Sequence, residues 1–312
     1  MTNGKKVKNY VELTFDELER LDRRNTVFLI SVSPIEVHGY HLPVGTDVFI
    51  SEKLLEGYVS LLNDRYPHLT LVKLPPLYAG SDALPLPGSL SVSAKYLQGI
   101  LFDYGKGLAK QGFRYLFVAD NHGGPRHQMA TEAASRKLWR KYKFYLLDSF
   151  NSDFRKMVQH DEDFLQRTAL EPGVCGDDPD SHAGTNETSL MLATNPEMVK
   201  DSYISKEASS LSDRKTGVAK SVEKVGQFFM KIGSKELGKD LLHLSNTLAW
   251  VTDPDMKPYM GDPKKATKEA GEAMINARLE DAMELFDQAL RGEVIKQRPL
   301  LWGLRFLRHF PE

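Results

Sequence analysis

Short apolar runs that alternate with helical patterns place the strongest constraint on the fold of this 312-residue chain. Residues 26–33 read TVFLISVS, an apolar, β-branched run typical of a buried parallel strand. Further strands are predicted at 69–74, 115–119 and 143–147, and helices at 14–22, 47–62, 93–111 and 126–142. This alternation predicts an α/β fold with a mostly parallel central sheet and helices on both faces. Ligands bind beyond the carboxyl ends of the strands in such sheets.

The second half of the chain has a different pattern. Residues 201–260 are rich in Lys, Ser and Gly, with helical patches at 218–232 and 236–244. We expect them to form a helical insertion within a single domain that spans residues 1–312. The spacing of the apolar side chains in residues 264–291 predicts a long amphipathic helix. The segment 300–310 mixes aromatics with arginines, and we expect it to dock on the body or on a partner subunit, with a membrane-surface anchor as the alternative.

Composition and charge narrow the classes of function. The chain is 41% hydrophobic and 27% charged, as is usual for globular proteins. Its net charge of −1 gives no basis for binding nucleic acid or an anionic membrane, and no run approaches the roughly 20 apolar residues of a membrane span. The single cysteine, Cys175, fits a reducing compartment, and residues 1–20 lack the apolar stretch of a secretory signal. We therefore expect a cytoplasmic protein that acts on a small molecule.

Two potential metal ligands follow the first predicted strand. Glu36 and His38 are two residues apart, a spacing that points both side chains to one face at a strand end. Asp47 follows after a loop that contains Gly39 and Gly45, and its two oxygens can bridge two ions about 3.5–4 Å apart. Taken alone, an E-x-H pattern is also common among ordinary surface residues.

A third candidate follows the strand predicted at 115–119. His122 is followed by Gly123 and Gly124, which leave space beside the imidazole for a metal ion. The alternative is a histidine that caps the next helix or hydrogen-bonds within its loop. Asp120 and Asn121 are candidates for the hydrogen bonds that orient such a ligand.

The last candidates lie in a segment between 180 and 189. Glu187 can complete the coordination sphere, or it can be a first-turn carboxylate that interacts with a helix dipole. His182 can act as a general acid or base, because imidazole titrates near neutral pH, or it can be an ordinary loop histidine. Imidazole and carboxylate ligands together suit a centre of two divalent ions, whether zinc, manganese or iron.

Read together, these segments resemble the creatininase (creatinine amidohydrolase) family. The family pattern E-x-H-G-x-H-L-P-x-G-T-D is present at 36–47, and its N-G-H-G-G-N is recognisable as DNHGGP at 120–125. The H-A-G-x-x-E-T-S motif is intact at 182–189, and G-D-P-x-x-A-T is present at 261–267. The resemblance spans most of the chain. It implies an α/β/α sandwich, a dinuclear zinc or manganese site, amide-type hydrolysis and a homo-oligomer, often a hexamer.

The resemblance also implies residue roles. By position, the family's metal ligands correspond to Glu36, His38, Asp47 and His122, with Asp47 as the bridging ligand. Creatinine hydrolases have a glutamate two residues after the histidine, where this chain has Gly124, so the missing carboxylate is assigned to Glu187. His182 corresponds to the catalytic histidine. Ser81 corresponds to a serine that contacts substrate.

The surroundings of the substrate differ from those of creatinine hydrolases. Those enzymes place an aromatic side chain shortly before the catalytic histidine, whereas residues 176–180 here read GDDPD. Asp177, Asp178 and Asp180 would suit a polyhydroxylated or cationic substrate, and we predict Asp180 as a substrate-binding residue; the alternative is a solvated loop. Creatinine is therefore not the expected substrate.

The sequence predicts a metal-dependent hydrolase that cleaves the C–N bond of a small cyclic or linear amide with a metal-activated water. One alternative is hydrolytic ring opening of a cyclic keto-sugar such as a keto-inositol, which breaks a C–C bond. The other is a non-catalytic oligomeric binding protein with the same fold, although such a protein has no need for the five ligands together.

Overall fold

A five-stranded sheet lies at the centre of the computed structural model, which describes residues 7–158, 162–168, 180, 182–209, 215 and 217–309. The strands are β1 (Val7–Asn9), β2 (Thr26–Ser31), β3 (Thr70–Lys73), β4 (Tyr115–Ala119) and β5 (Tyr145–Asp148). Their order is β1–β3–β2–β4–β5, and every neighbouring pair is parallel. The predicted parallel sheet is confirmed, with the short edge strand β1 as an addition that the sequence patterns did not indicate.

Helices connect and flank these strands. They are α1 (Phe15–Glu19), α2 (Thr46–Arg65), α3 (Ala94–Lys110), α4 (Pro125–Tyr142), α5 (Phe150–Val158), α6 (Glu162–Thr168), α7 (Thr185–Thr194), α8 (Gly217–Lys231), α9 (Lys235–Val251) and α10 (Lys268–Leu290). The last helix begins later than the predicted residue 264. Pro263 opens a separate 3-10 turn, and the hydroxyl of Thr267 then caps α10 by accepting the Ala270 amide.

The sheet separates two apolar cores, because successive side chains of a strand point to opposite faces. On β2, Val27 and Leu29 pack on the side of α2 and α10, where Phe117 of β4 stacks on Phe286 with ring centroids 3.7 Å apart. Phe28 and Ile30 pack on the other side, against α3 and α4. Each such buried side chain stabilises the fold by about 1.5–3 kcal/mol. This arrangement confirms helices on both faces.

The region 201–260 contains α8 and α9, which pack as a helical hairpin. The hydroxyl of Ser245 donates to the carbonyl of Ala219 at 2.7 Å and ties the two helices together. Near the end of the chain, Leu300 and Leu301 are buried beside Phe150 and Phe154, so this part of the 300–310 segment docks on the body. Residue 310 lies outside the described residues. None of the helices in the described part of the chain has a stretch long and apolar enough to span a bilayer.

Candidate metal centre

The loop after β2 turns back and brings three predicted ligands to the carboxyl edge of the sheet. Gly39 takes a left-handed conformation (φ 67°) in this turn, which glycine adopts without strain. The amide of Glu36 donates to the carbonyl of Val44 at 2.9 Å and closes the loop. Asp47 then lies in the first turn of α2, and its side chain is buried with those of Glu36 and His38.

The other two predicted ligands reach the same place from different elements. His122 directly follows β4, which is the hydrogen-bonded neighbour of β2, so both strand ends open onto one site. Glu187 lies in the first turn of α7, and its side chain is 17% exposed. The structure therefore brings all five sequence-predicted ligands together.

The ligand atoms form two groups of three that share Asp47. One group is Glu36, Asp47 and His122, the other is His38, Asp47 and Glu187, and within each the ligand atoms lie within 4.8 Å of one another. Asp47 directs Oδ2 toward His122 Nδ1, at 3.2 Å, and Oδ1 toward His38 Nε2, at 3.5 Å. One oxygen for each group is the arrangement that a bridging carboxylate needs.

Hydrogen bonds from the opposite side of each ligand leave one atom turned inward. His38 Nδ1 lies 3.0 Å from the carbonyl of Glu36, and His122 Nε2 lies 2.9 Å from the carbonyl of Ser81. A carbonyl only accepts, so each of these ring nitrogens carries the proton and the other nitrogen is available to a metal. Glu36 Oε1 accepts the Leu84 amide at 2.6 Å, which leaves Oε2 for the site.

The inward atoms fit a bound cation. His38 Nε2 and Asp47 Oδ2 are buried and have no hydrogen-bond partner, although such atoms are costly to leave unpaired. Glu36 Oε2 faces the imidazoles of His122 and His38 at 3.0 and 4.0 Å. Nitrogen and carboxylate ligands in these proportions suit zinc or manganese.

The same proximity shifts the ligands' pKa values in opposite directions. Burial alone raises the pKa of Asp47, but the imidazoles of His38 and His122 outweigh it and hold that pKa well below its usual range. Burial lowers the pKa of His38, but the carboxylates of Asp47 and Glu187 outweigh it and hold that pKa well above its usual range. Protons on the imidazoles therefore compete with a metal, so metal affinity falls in acid.

His182 lies beside this centre. Its backbone pairs with Met260, and its Nε2 lies 2.8 Å from the carbonyl of Val37 and donates to it. Its ring centroid is 4.3 Å from that of His38, and Nδ1 is 3.8 Å from Glu187 Oε2. Glu36, His38 and His182 also form a third group of potential ligand atoms within 4.8 Å, so His182 is close enough either to exchange a proton with a substrate or to bind a metal.

A match to a protein-family model shows which family this chain belongs to. The model of creatininase, described as creatinine amidohydrolase, matches residues 11–286. The chain belongs to the creatininase family. The matched range contains all five ligands and His182, so the resemblance predicted from the motifs is confirmed.

Two curated relatives of this creatininase-family chain are named as peptidases. The mycofactocin precursor peptide peptidase of Mycolicibacterium smegmatis is 26% identical over 172 residues, which are 55% of this chain and 59% of the relative. The protein of the same name from Mycobacterium ulcerans is 27% identical over 178 residues, with the same coverage of both chains. The match thus spans less than two thirds of these relatives' length.

Solved creatininase structures share the fold. A creatinine amidohydrolase (creatininase) superposes with a TM-score of 0.61 at 20% identity, covering 90% of this chain and 97% of that chain. A creatininase described with Mn has a TM-score of 0.57, and a creatininase variant described as the Zn–Zn type has 0.61; each is 19% identical and covers 90% of this chain and 98% of its own. The last two of these neighbours carry manganese and zinc, respectively.

Gly124 stands where creatinine hydrolases are expected to have a glutamate, and its surroundings leave no space for a side chain. A Cβ at residue 124 would press on the His122 ring and would lie 2.8 Å from the carbonyl oxygen of Ser81. No side chain fits there without a shift of the backbone. Glu187 lies with His38 and Asp47 in the second ligand group, which is consistent with its predicted role as the fifth ligand.

The two predicted substrate-binding residues make structural contacts. Asp180 uses both carboxylate oxygens at the start of α7, where they accept the amides of Thr185 and Asn186. It still lines the cavity beside the site, so its contact with substrate stays a prediction. The side chain of Ser81 is fully buried, and its carbonyl orients His122. Asp177 and Asp178 lie outside the described residues.

A cavity of about 980 Å³ opens onto the metal ligands, and α9 forms one wall of it. Trp250 of α9 lies with its ring centroid 5.4 Å from that of His182, held by a 3.0 Å hydrogen bond from Nε1 to the carbonyl of Lys257. The aromatic wall that the sequence lacks before His182 is thus supplied by α9. Nothing in the local sequence around Trp250 indicates this, because the contact depends on how the α8–α9 hairpin packs.

Asn121 and Arg278 support the shared ligand from behind. Asn121 Nδ2 donates to Asp47 Oδ1 at 2.9 Å, and Arg278 Nη1 donates to Asn121 Oδ1 at 2.6 Å. Asp120 accepts the His122 amide at 3.0 Å, so both residues predicted to orient the ligands make such contacts. Arg278 was not predicted, since its position within the long amphipathic helix α10 looks like any other polar position.

Proposed function

We propose that this protein is a metal-dependent hydrolase that cleaves the C–N bond of a small cyclic or linear amide. The observation that carries the proposal is the pair of ligand groups that share Asp47, with His182 beside them and a cavity in front. Zinc or manganese, two ions per chain, is the cofactor that this ligand set supports. When bound, two such ions make a water molecule nucleophilic at neutral pH and polarise the substrate carbonyl.

His182 is suited to move the proton that the reaction requires. Its Nε2 proton is held by the carbonyl of Val37, so in the neutral ring Nδ1 has a free lone pair. Nδ1 accepts a proton as water adds to the carbonyl carbon. It returns the proton to the departing nitrogen as the C–N bond breaks, so the products are a carboxylate and an amine.

Trp250, together with the buried lining of the cavity, excludes bulk water from this step. A drier site strengthens the electrostatic interactions between the chain and the developing charge on the substrate. The names of the two curated relatives also support C–N cleavage, because a peptide bond is an amide.

The test is an assay of purified protein, loaded with Zn²⁺ or Mn²⁺, against cyclic amides, N-acyl amino acids, short peptides and a keto-inositol. We expect release of a primary amine from at least one amide, with ¹⁸O from labelled water in the new carboxylate. His182→Asn serves as the chemical control, since it retains the five ligands.

Two outcomes would overturn the proposal. Opening of the keto-inositol without any cleavage of amides would show C–C hydrolysis. Failure to bind zinc, manganese or iron after metal supplementation would remove the enzymatic interpretation altogether.

A further inference from the structure

Two buried polar side chains on the cavity wall have unpaired atoms. Asn186 is 3% exposed, and neither its amide nitrogen nor its amide oxygen has a hydrogen-bond partner. Arg278 is 2% exposed, and its Nε has no hydrogen-bond partner either. Both residues line the same cavity as the metal ligands. Buried groups of this kind are normally satisfied, so two in the lining of one cavity indicate that a ligand completes them.

Arg278 makes its hydrogen bonds to neutral acceptors. Nη1 donates to the side-chain oxygen of Asn121, and Nη2 donates to the carbonyl of Asp120 at 2.7 Å. These bonds fix the plane of the guanidinium, which also lies over the Phe150 ring with its central carbon 4.6 Å from the centroid. They leave some of the five N–H donors of the guanidinium unused and do not neutralise its positive charge.

The carboxylate nearest to Arg278 gives it little compensation. Asp153 Oδ2 is 3.9 Å from Arg278 Nε, beyond a hydrogen bond, and Asp153 is fully buried. Burial raises the pKa of Asp153 to about 8 despite the nearby guanidinium, with Asp281 adding to the shift. At neutral pH Asp153 is mostly protonated, so the buried positive charge of Arg278 stays available to an anion.

We propose that Arg278 and Asn186 form a subsite that binds a carboxylate of the substrate next to the metal centre. Arg278 offers charge-assisted donors, and the amide nitrogen of Asn186 offers another, while its oxygen can accept the N–H of a peptide group. The proposal rests on the proposed amide hydrolysis and names its substrate class: an amide whose amine part carries a carboxylate.

The position of the subsite sets the distance between the carboxylate and the reacting bond. Only the side chain of Asn121 separates the guanidinium from Asp47. A carboxylate bound there lies a few bonds from the C–N bond, as the α-carboxylate of an amino acid does. Met129, Phe150 and Phe154 line the same cavity, so an apolar side chain on that amino acid would be buried. N-acyl amino acids and peptides that end in an apolar residue share this chemistry.

Binding to metal-free protein tests the subsite without requiring catalysis. The probes are 3-phenylpropionate and its uncharged counterpart 3-phenylpropanamide, compared by calorimetry on chelator-treated protein. We expect the acid to bind about 10- to 100-fold more tightly, the typical effect of a hydrogen bond to a buried charged group. Arg278→Gln should abolish this preference. Arg140→Gln, at an exposed position of α4, should retain it.

Equal binding of the two probes to the wild-type protein, or an unchanged preference in Arg278→Gln, would overturn the proposal. If Arg278→Gln does not fold, Asn186→Asp takes its place, because a carboxylate at that position repels the anionic probe. An unchanged preference in Asn186→Asp would overturn it equally.

Kinetic assays distinguish the two sources of the carboxylate, an N-acyl amino acid and the C-terminal residue of a peptide. The metal-loaded enzyme is assayed on N-acetylphenylalanine and on glycyl-leucyl-phenylalanine, each beside its C-terminal carboxamide. Preference for the free acid in either pair supports the subsite and identifies the source, whereas cleavage without such preference in both contradicts it. If no amide is cleaved, the proposed function fails, and the binding comparison still decides the subsite.

Discussion

The cavity has a metal half, formed by the five predicted ligands, and a substrate half, formed by the other lining residues, including Asn186 and Arg278. The two halves are built on opposite principles. In the metal half, Glu36, His38 and His122 each have one atom held by a backbone group and the other turned inward. In the substrate half, the walls are largely apolar, and both amide atoms of Asn186 and the Nε of Arg278 have no hydrogen-bond partner. The first half is therefore preorganised for ions of fixed geometry, and the second is completed only when a ligand binds.

The two halves also differ in their origin along the chain. The metal half comes mainly from two loops at adjacent strand ends, whose backbones are fixed by the sheet. The substrate half combines residues from five helices, α4, α5, α7, α9 and α10, with loop residues. Changes in the metal half should thus affect activity on every substrate, whereas changes in the substrate half should affect selectivity or local stability.

The largest effect is expected for Asp47→Asn. Asparagine retains the shape but removes the charge that both ligand groups share, so kcat/KM should fall by about 10³-fold or more, since metal activation supplies several kcal/mol. Bound metal, measured by elemental analysis, should fall in parallel. Asp64→Asn, on the exposed side of the same helix, is the matched control. Full activity of Asp47→Asn would contradict the bridging role.

A smaller loss is expected for His182→Asn. The variant removes the proton carrier, so kcat should fall by about 10²- to 10⁴-fold while KM changes little. Metal content should be unchanged. Loss of one ion in this variant would instead show that His182 is a metal ligand. That outcome is the alternative, because His182 also belongs to the third ligand group.

Trp250→Ala should distinguish the role of the substrate half of the cavity from that of the metal half. Removal of the ring opens the wall next to His182, and we expect kcat/KM to fall by about 10-fold for substrates with an apolar group, with metal content unchanged. The effect should be smaller for substrates without such a group. Phe228→Ala, an exposed position on α8 of the same hairpin, is the control. Equal losses on all substrates would contradict an assignment to the substrate half.

The smallest effect concerns stability and comes from Asp153→Asn. The pKa of Asp153 is raised from 3.8 to about 8, so between these values the folded state holds a proton that the unfolded state has released. Wild-type stability therefore falls as pH rises through this window. Asn removes the effect and should stabilise the protein by ~1–3 kcal/mol near pH 7, with little difference near pH 4.

Urea unfolding of both proteins from pH 4 to pH 8 measures this difference. Wild type and Asp153→Asn lose metal alike in acid, so their difference isolates the carboxyl group. A difference that does not change with pH would show that Asp153 is charged in the folded protein, which would weaken the argument for an uncompensated Arg278.

The sequence predicted four of the five strands and the five residues that the structure brings together at the candidate metal centre, for the same physical reason. Buried parallel strands such as β2 and β4 have a local apolar signature, and their ends necessarily share one edge. Glu36, His38 and His122 follow those ends within a short loop, and motif order placed Asp47 and Glu187 with them.

The substrate half was not predictable, because its contacts depend on how distant segments pack. Trp250 reaches His182 from α9, and Arg278 reaches Asn121 across more than 150 residues of sequence. No short pattern marks either residue. The structural role of Asp180 was likewise not predictable, because the Thr185 and Asn186 amides that its carboxylate accepts become its neighbours only when α7 forms; its contact with substrate stays a prediction.

The central claim is that Asp47 bridges two divalent ions, and anomalous diffraction from crystals grown with Zn²⁺ or Mn²⁺ tests it most directly. We expect two peaks about 3.5–4 Å apart, one between Glu36, Asp47 and His122 and the other between His38, Asp47 and Glu187. A single ion bound away from Asp47, or no ion at saturating metal, would contradict the account.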